Sequence, residues 1–207
     1  MNTYIAMMNE FRKKNGFMSI DQVYDLAQNN VIYDVFSILI STKVIIGKGN
    51  TFYPNVVLEC INGVSTIGNN NKFYNGTTIR IVQSELEIGD RNEIGENGIS
   101  ITTTKGKTII RNGCRLRNNA QIMDNCCIGN GAQVLGNIKM SNCILEDGEA
   151  YTYKDPNKRG GVLKGYGIAN SLKIGTGEVI NGNGIMTNEM IERQEKYHPN
   201  WMNEEPK

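Results

Sequence analysis

Aliphatic residues recur at steps of six along most of this chain, and that period constrains its fold more than any other feature. Ile46, Phe52 and Leu58 form one set, Ile67, Phe73 and Ile79 the next, and Ile88 and Ile94 open a third, often with glycine in the following position. Ile110, Leu116 and Ile122 continue the series, then Ile128, Val134 and Met140. After a long break the phase returns at Ile168, Ile174, Ile180 and Met186. A helix would show steps of three and four, and a plain strand steps of two. Six residues suit one short flat strand plus one corner, and three such units close a triangular coil of about 18 residues. The aliphatic residue points into the prism and stacks on its counterpart one coil later. The next residue turns the corner, where glycine or asparagine tolerates positive φ. One coil has almost no core of its own, so stability comes from stacking neighbours.

The departures from the period carry information too. Ile46 to Ile67 and Ile67 to Ile88 each span 21 residues, and Ile88 to Ile110 spans 22. The surplus falls around 60–66, 82–87 and 101–108, so it is expected to pile up at one corner as a ridge. Such a ridge is either a binding side or a tolerated bulge.

Residues 1–40 read as a helical cap over the open end of the coil. Ser19 and Gln22 have the spacing of a capping box, and Val23, Leu26 and Ala27 follow at helical spacing. Val31 to Ile40 is expected to lead into the first coil as a strand. Residues 41–186 make the prism, interrupted by an excursion at about 146–167 that carries Lys154, Lys158, Arg159 and Lys164. Residues 187–207 are expected to form a C-terminal helix and tail, with Thr187 as its cap and Lys196 in its last turn.

Composition narrows the function classes. The net charge is +1 and 39% of residues are hydrophobic, which argues against nucleic acid as a partner and against global disorder. No apolar run approaches the length of a membrane span. Five cysteines, an odd number without zinc-site spacing, and a polar start without a signal peptide point to a reduced, cytoplasmic protein. Cys126 and Cys127 lack a nearby group that would lower a thiol pKa, so one of them is expected to pack inside as a small hydrophobe.

The Ile-Gly and Val hexads between Ile46 and Val134 resemble the hexapeptide-repeat, or left-handed β-helix, acyltransferase superfamily. The resemblance covers roughly residues 41–145 and again 168–186. It implies an all-β chain forming a left-handed parallel β-helix of hexapeptide repeats, with an N-terminal helical cap and a C-terminal helix. It also implies a homotrimer with clefts between subunits, and a coenzyme A or carrier-protein thioester as acyl donor. γ-Class carbonic anhydrases share the fold but need three histidines for their metal, and this chain has one, His198. No metal site is therefore expected.

Sugar-modifying members of the superfamily share a segment reading Ile-Ala-His-Asp-Cys-x-Ile-Gly-Asn. Here the segment is Ile122-Met123-Asp124-Asn125-Cys126-Cys127-Ile128-Gly129-Asn130. Asp124 stands where the general base would be, and Asn125 where the orienting acid would be. An exposed aspartate is a weak base at neutral pH unless desolvation raises its pKa. The alternative reading makes both residues ordinary corner residues.

The remaining candidates divide in the same way. Glu93, beside Asp90 and Glu96, could bind an amine or be a solvated strand residue. Asn97 and its fellow corner asparagines could bind a sugar, or simply turn corners. Lys158 and Arg159 could meet donor phosphates or decorate a solvated loop. His198 could serve as base if the C-terminal segment reaches a cleft. Two functional readings follow. One is an acyltransferase acting on an amino sugar or small amine; the other is a non-catalytic scaffold or small-molecule binding protein.

Overall fold

The computed structural model of the chain describes residues 3–199, 201 and 202. About seven stacked coils form a parallel β-solenoid with three faces. The first face runs through Val31–Ile32, Thr51–Phe52, Lys72–Phe73, Glu93–Glu96, Arg115–Arg117 and Gln133–Leu135. The second holds Leu39–Ile40, Val57–Ile61, Thr77–Val82, Ile99–Thr103, Ala120–Ile122 and Ile138–Ser141. The third begins at Val44–Ile46 and ends at Lys173–Ile174. Two nine-residue strands, Val162–Asn170 and Glu178–Met186, run unbroken around the corner between the first and second faces. This is the all-β parallel helix that the hexads imply.

The hexad residues are the core. On the first face Phe52 pairs with Phe73, and Phe73 with Ile94, in register. The two phenylalanine rings stack at 5.0 Å with 4° between planes. Leu116 pairs with Val134, and Val134 with Leu163. All of these side chains are buried, as are Ile79, Ile101 and Ile122 on the second face and Ile88, Ile110 and Ile128 on the third. One phase assignment is corrected. Ala169, not Ile168, points inward opposite Met140, and Ile168 is 52% exposed. The unbroken strand lacks the corner that would have set Ile168 inward.

The surplus residues of the early coils do not form a ridge of loops. They lengthen the second-face strands by about one inward position each, so that Cys60, Ile81 and Thr103 are buried there. Ser84 then closes that corner through Thr103, with hydrogen bonds to its carbonyl (2.8 Å) and hydroxyl (2.9 Å). The prism is simply wider over these coils.

Side-chain ladders hold the corners. Asn50 accepts from the backbone N–H of Asn71, Asn71 from that of Asn92, and Asn92 from that of Cys114. On the outer side Asp90, Asn112, Asn130 and Asp147 continue a second ladder in the same manner. Each carboxamide or carboxylate satisfies a backbone donor that the turn leaves without a strand partner.

The N-terminal cap consists of α1 (Thr3–Lys14) and α2 (Ile20–Leu26), and the Ser19/Gln22 capping box is formed. Arg12, buried in α1, donates to the carbonyls of Phe36 (2.8 Å) and Val35 (3.3 Å) and so ties the cap to the first coil. Val31 to Ile40 is two short strands separated by a turn rather than one strand.

Among the described residues, the segment expected as a C-terminal helix holds no α-helix. Residues 188–197 form a short 3-10 turn (Asn188–Met190), a strand (Ile191–Arg193) and a second 3-10 turn (Gln194–Tyr197). The strand pairs antiparallel with Glu178–Met186, and that sheet edge supplies hydrogen bonds that outweigh the modest helical propensity of the segment. Residue 200 and residues 203–207 of the tail lie outside the described residues, as do residues 1 and 2.

Candidate functional site

The chain leaves the prism after Leu145 and rejoins it at Val162, earlier than the sequence suggests. The excursion exposes Thr152, Tyr153 and Lys154 but is anchored to the prism at its later residues. It folds back over the first face, with Pro156 buried and Asp155 capping the turn Pro156–Lys158. The C-terminal strap crosses beside it. Gln194, buried, donates its side-chain amide to the carbonyls of Gly160 (2.8 Å) and Glu178 (3.1 Å). Arg193 donates to Asn157 Oδ1 (3.0 Å) and to the Thr176 carbonyl (3.1 Å). Excursion, strap and last coils are thereby fastened to one another.

Between them lies a cavity of about 380 Å³. Its floor is the outer side of the first face, where Arg115, Gln133 and Val162 follow one another coil by coil and Leu135 and Lys164 stand in the adjacent row. Tyr151 and Arg159 of the excursion form one wall. Gln194, Tyr197 and His198 of the strap form another.

The polar contacts inside it are specific. Arg159 donates through Nε to the Tyr153 carbonyl at 2.7 Å, and its Nη1 lies 3.2 Å from His198 Nε2. A guanidinium has no acceptor, so in a hydrogen bond between the two Nε2 is the accepting atom. Arg115 lies over the Tyr151 ring, 3.8 Å from its centroid. Its Nε is 3.4 Å from Glu93 Oε2, an ion pair that lacks hydrogen-bond geometry, so the buried N–H has no hydrogen-bond partner. The Tyr197 hydroxyl donates to Glu192, which holds the phenol pKa above its ordinary value. No carboxylate lines the cavity among the described residues, whereas Arg115, Arg159 and Lys164 do.

The structure sorts the sequence candidates. His198 and Arg159 come together in the cavity, 39 residues apart in sequence. Glu93 stands just outside it, behind Arg115, and also lies 3.9 Å from Arg117. Lys158 is exposed on the same loop and does not line the cavity.

Asp124 and Asn125 sit elsewhere, at the corner between the second and third faces. Asp124 accepts from Thr104 Oγ1 (3.0 Å) and from the backbone N–H groups of Thr104 and Lys105 (3.2 Å for the latter). Asn125 has φ of 56° and donates to Asn142 Oδ1 at 3.2 Å. Asn97 has φ of 63° and donates to Asn118 Oδ1 at 2.9 Å. These three side chains are engaged in holding corners. Cys126 is buried, and burial pushes its thiol up to about 12. Burial also pushes the Cys114 thiol up to about 12.

Arg115, Gln133, Tyr151, Gln194 and Tyr197 were not singled out from sequence. The positions of Arg115 and Gln133 follow from the coil register, since each immediately precedes an inward hexad residue of the first face. Nothing local marks the strap residues, because their placement depends on the antiparallel pairing of Ile191–Arg193.

No family model matches the chain, and no curated relative matches it. Among solved structures, a hexapeptide transferase family protein from Anaplasma phagocytophilum is similar at 19% identity. That match covers 84% of this chain and 89% of that one, with a TM-score of 0.40. LpxA from Acinetobacter baumannii is similar at 15% identity over 74% of this chain and 71% of its own, with a TM-score of 0.25.

Proposed function

We propose that the chain is an acyltransferase, with its reaction centre in the cavity beneath the C-terminal strap rather than at the Asp124 corner. The observation that carries this reading is the position of the single imidazole of the chain in a cavity beside Arg159. In the reaction, the nitrogen of an amino sugar or small amine attacks the carbonyl carbon of a thioester. The N–C bond forms, the C–S bond breaks, the thiolate leaves with the bonding electron pair, and the amine loses a proton. His198 Nε2 takes that proton once the amine N–H replaces the Arg159 N–H on it. Arg159 then faces the developing oxyanion.

The donor in this reading is a coenzyme A or carrier-protein thioester. A cavity of about 380 Å³ holds an acceptor and the thioester end and leaves the rest of the donor outside. Lys154 and Lys158, exposed on the excursion, are the cations assigned to its phosphates. Assembly as a homotrimer belongs to the same proposal. The exposed apolar row Met7, Met8 and Phe11 of α1 and the exposed Ile168 and Ile185 of the last coils support association.

The test is release of free thiol from acetyl-CoA in the presence of a panel of amines and amino sugars. Acceptor-dependent release supports transfer. Binding of donor and acceptors without release points to the second reading, a non-catalytic binding protein. That reading is favoured by one observation, the engagement of His198 Nε2 by Arg159.

A further inference from the structure

We infer that the corner between the first and second faces is a binding site for a neutral oligosaccharide, separate from the cavity beneath the strap. Leu135 lines that cavity and Asn137 lines this corner, with Gly136 between them, so the inference does not depend on acyl transfer.

An open groove of about 480 Å³ runs across the coils here. On its second-face side Thr78, Ser100 and Gln121 follow one another in register, coil by coil. Along the corner stand Gly76, Gly98, Asn119 and Asn137. Gly76 (φ 75°) and Gly98 (φ 87°) make the turn without a side chain and so leave the groove open. Neighbouring coils lie about 4.8 Å apart, so four coils give the groove a length of about 15 Å.

The lining selects the ligand. No charged residue lines the groove, and Ile99 is its one apolar side chain, a buried one. Phosphates, carboxylates and ammonium groups find no counter-charge there, and a lipid finds no apolar surface. What the groove offers is three carboxamides and two hydroxyls, groups that both donate and accept. Sugar hydroxyls do the same.

These five side chains are also unspent. Elsewhere the corner asparagines bond one another: Asn97 donates to Asn118, Asn125 to Asn142 and Asn142 to Asn170. Among the described residues Thr78, Ser100, Asn119, Gln121 and Asn137 have no such side-chain partner. The strands beneath them, Thr77–Val82, Ile99–Thr103 and Ala120–Ile122, are paired on both sides. Their backbone therefore has no edge to offer a peptide strand, and recognition falls to the side chains.

An aromatic ring completes the site. The Gly167 N–H donates to the Asn137 carbonyl, which sets Tyr166 beside Asn137 one coil further along the corner. Tyr166 is 59% exposed, and its flat apolar ring suits the C–H face of a sugar while its hydroxyl stays wet.

The experiment is calorimetric titration of the full chain with three neutral hexasaccharides: cellohexaose, maltohexaose and the hexamer of N-acetylglucosamine. At least one is expected to bind, with an affinity that does not change with salt, and hexagalacturonate is expected to bind no more tightly. Gln121→Ala and Tyr166→Ala, both at exposed positions, are each expected to lower that affinity about tenfold with the Tm preserved. Lys72→Gln, exposed on the first face, is expected to change nothing. Failure of all three hexamers to bind, tighter binding of hexagalacturonate, or unchanged affinity in folded Gln121→Ala and Tyr166→Ala overturns the inference.

Discussion

Arg159 bridges the excursion and the strap: its Nε reaches the Tyr153 carbonyl at 2.7 Å while its Nη1 meets His198 Nε2 at 3.2 Å. A planar fork can make both bonds at once, and a lysine ammonium at the end of a flexible stem cannot hold both partners in the same geometry. Arg159→Ala is therefore expected to lower kcat by about tenfold or more with the fold intact. Arg159→Lys is expected to recover only part of the loss. Steady-state kinetics of both variants, with circular dichroism as the control for folding, provide the check.

Asp124 is bound to the backbone of the preceding coil through Thr104 and Lys105. Asp124→Ala is expected to destabilise the prism by about 1–2 kcal/mol, because it leaves two corner N–H groups without their acceptor. Asp124→Asn retains an acceptor oxygen and is expected to cost less. Denaturant melts of the three proteins measure the difference.

The corner between the first and second faces is built from glycines that stack in van der Waals contact. Gly165 has φ of 121°, and a Cβ there would lie 1.8 Å from the carbonyl oxygen of Gly182. Gly165→Ala is expected to cost at least about 2 kcal/mol, since both the backbone conformation and the backbone contact resist the methyl group. A lowered Tm with loss of the strap contacts is the expected outcome.

Burial raises the thiols of Cys114 and Cys126 from 9.0 to about 12. The unfolded chain therefore loses these protons first as pH rises. Between about pH 9 and 12 the folded state binds more protons than the unfolded state, so stability falls with increasing pH across that window and is unaffected below it. Denaturant midpoints at pH 7.5 and pH 10 are expected to show the drop. An aromatic disulfide reagent at neutral pH is expected to modify the half-buried Cys127 before the four buried thiols.

The coil was legible because each hexad residue needs only a local period and an identical neighbour one coil away. Phe52 and Phe73 announce their stacking in the sequence itself. The six-residue count sets Ile168 inward, but the strand that carries it does not break at the corner, and the count fails where a corner is made of flat glycine strand. Capping and charge placement favour a helix over 187–197, whereas pairing with an open sheet edge, which no local signal reports, sets its conformation. For the same reason His198 and Arg159 could each be named from sequence, but their meeting could not. Asp124 drew attention through a partial motif, and its carboxylate was instead required by the corner of the coil before it.

The decisive measurement is turnover of acetyl-CoA with an amine acceptor by the wild type, His198→Ala and Asp124→Ala side by side. The prediction is a fall of about 10²-fold or more in kcat for His198→Ala with the Tm preserved. Asp124→Ala should keep kcat within about twofold at a temperature where it is folded. Full activity in His198→Ala, or its loss in a folded Asp124→Ala, would contradict the placement of the reaction centre beneath the strap.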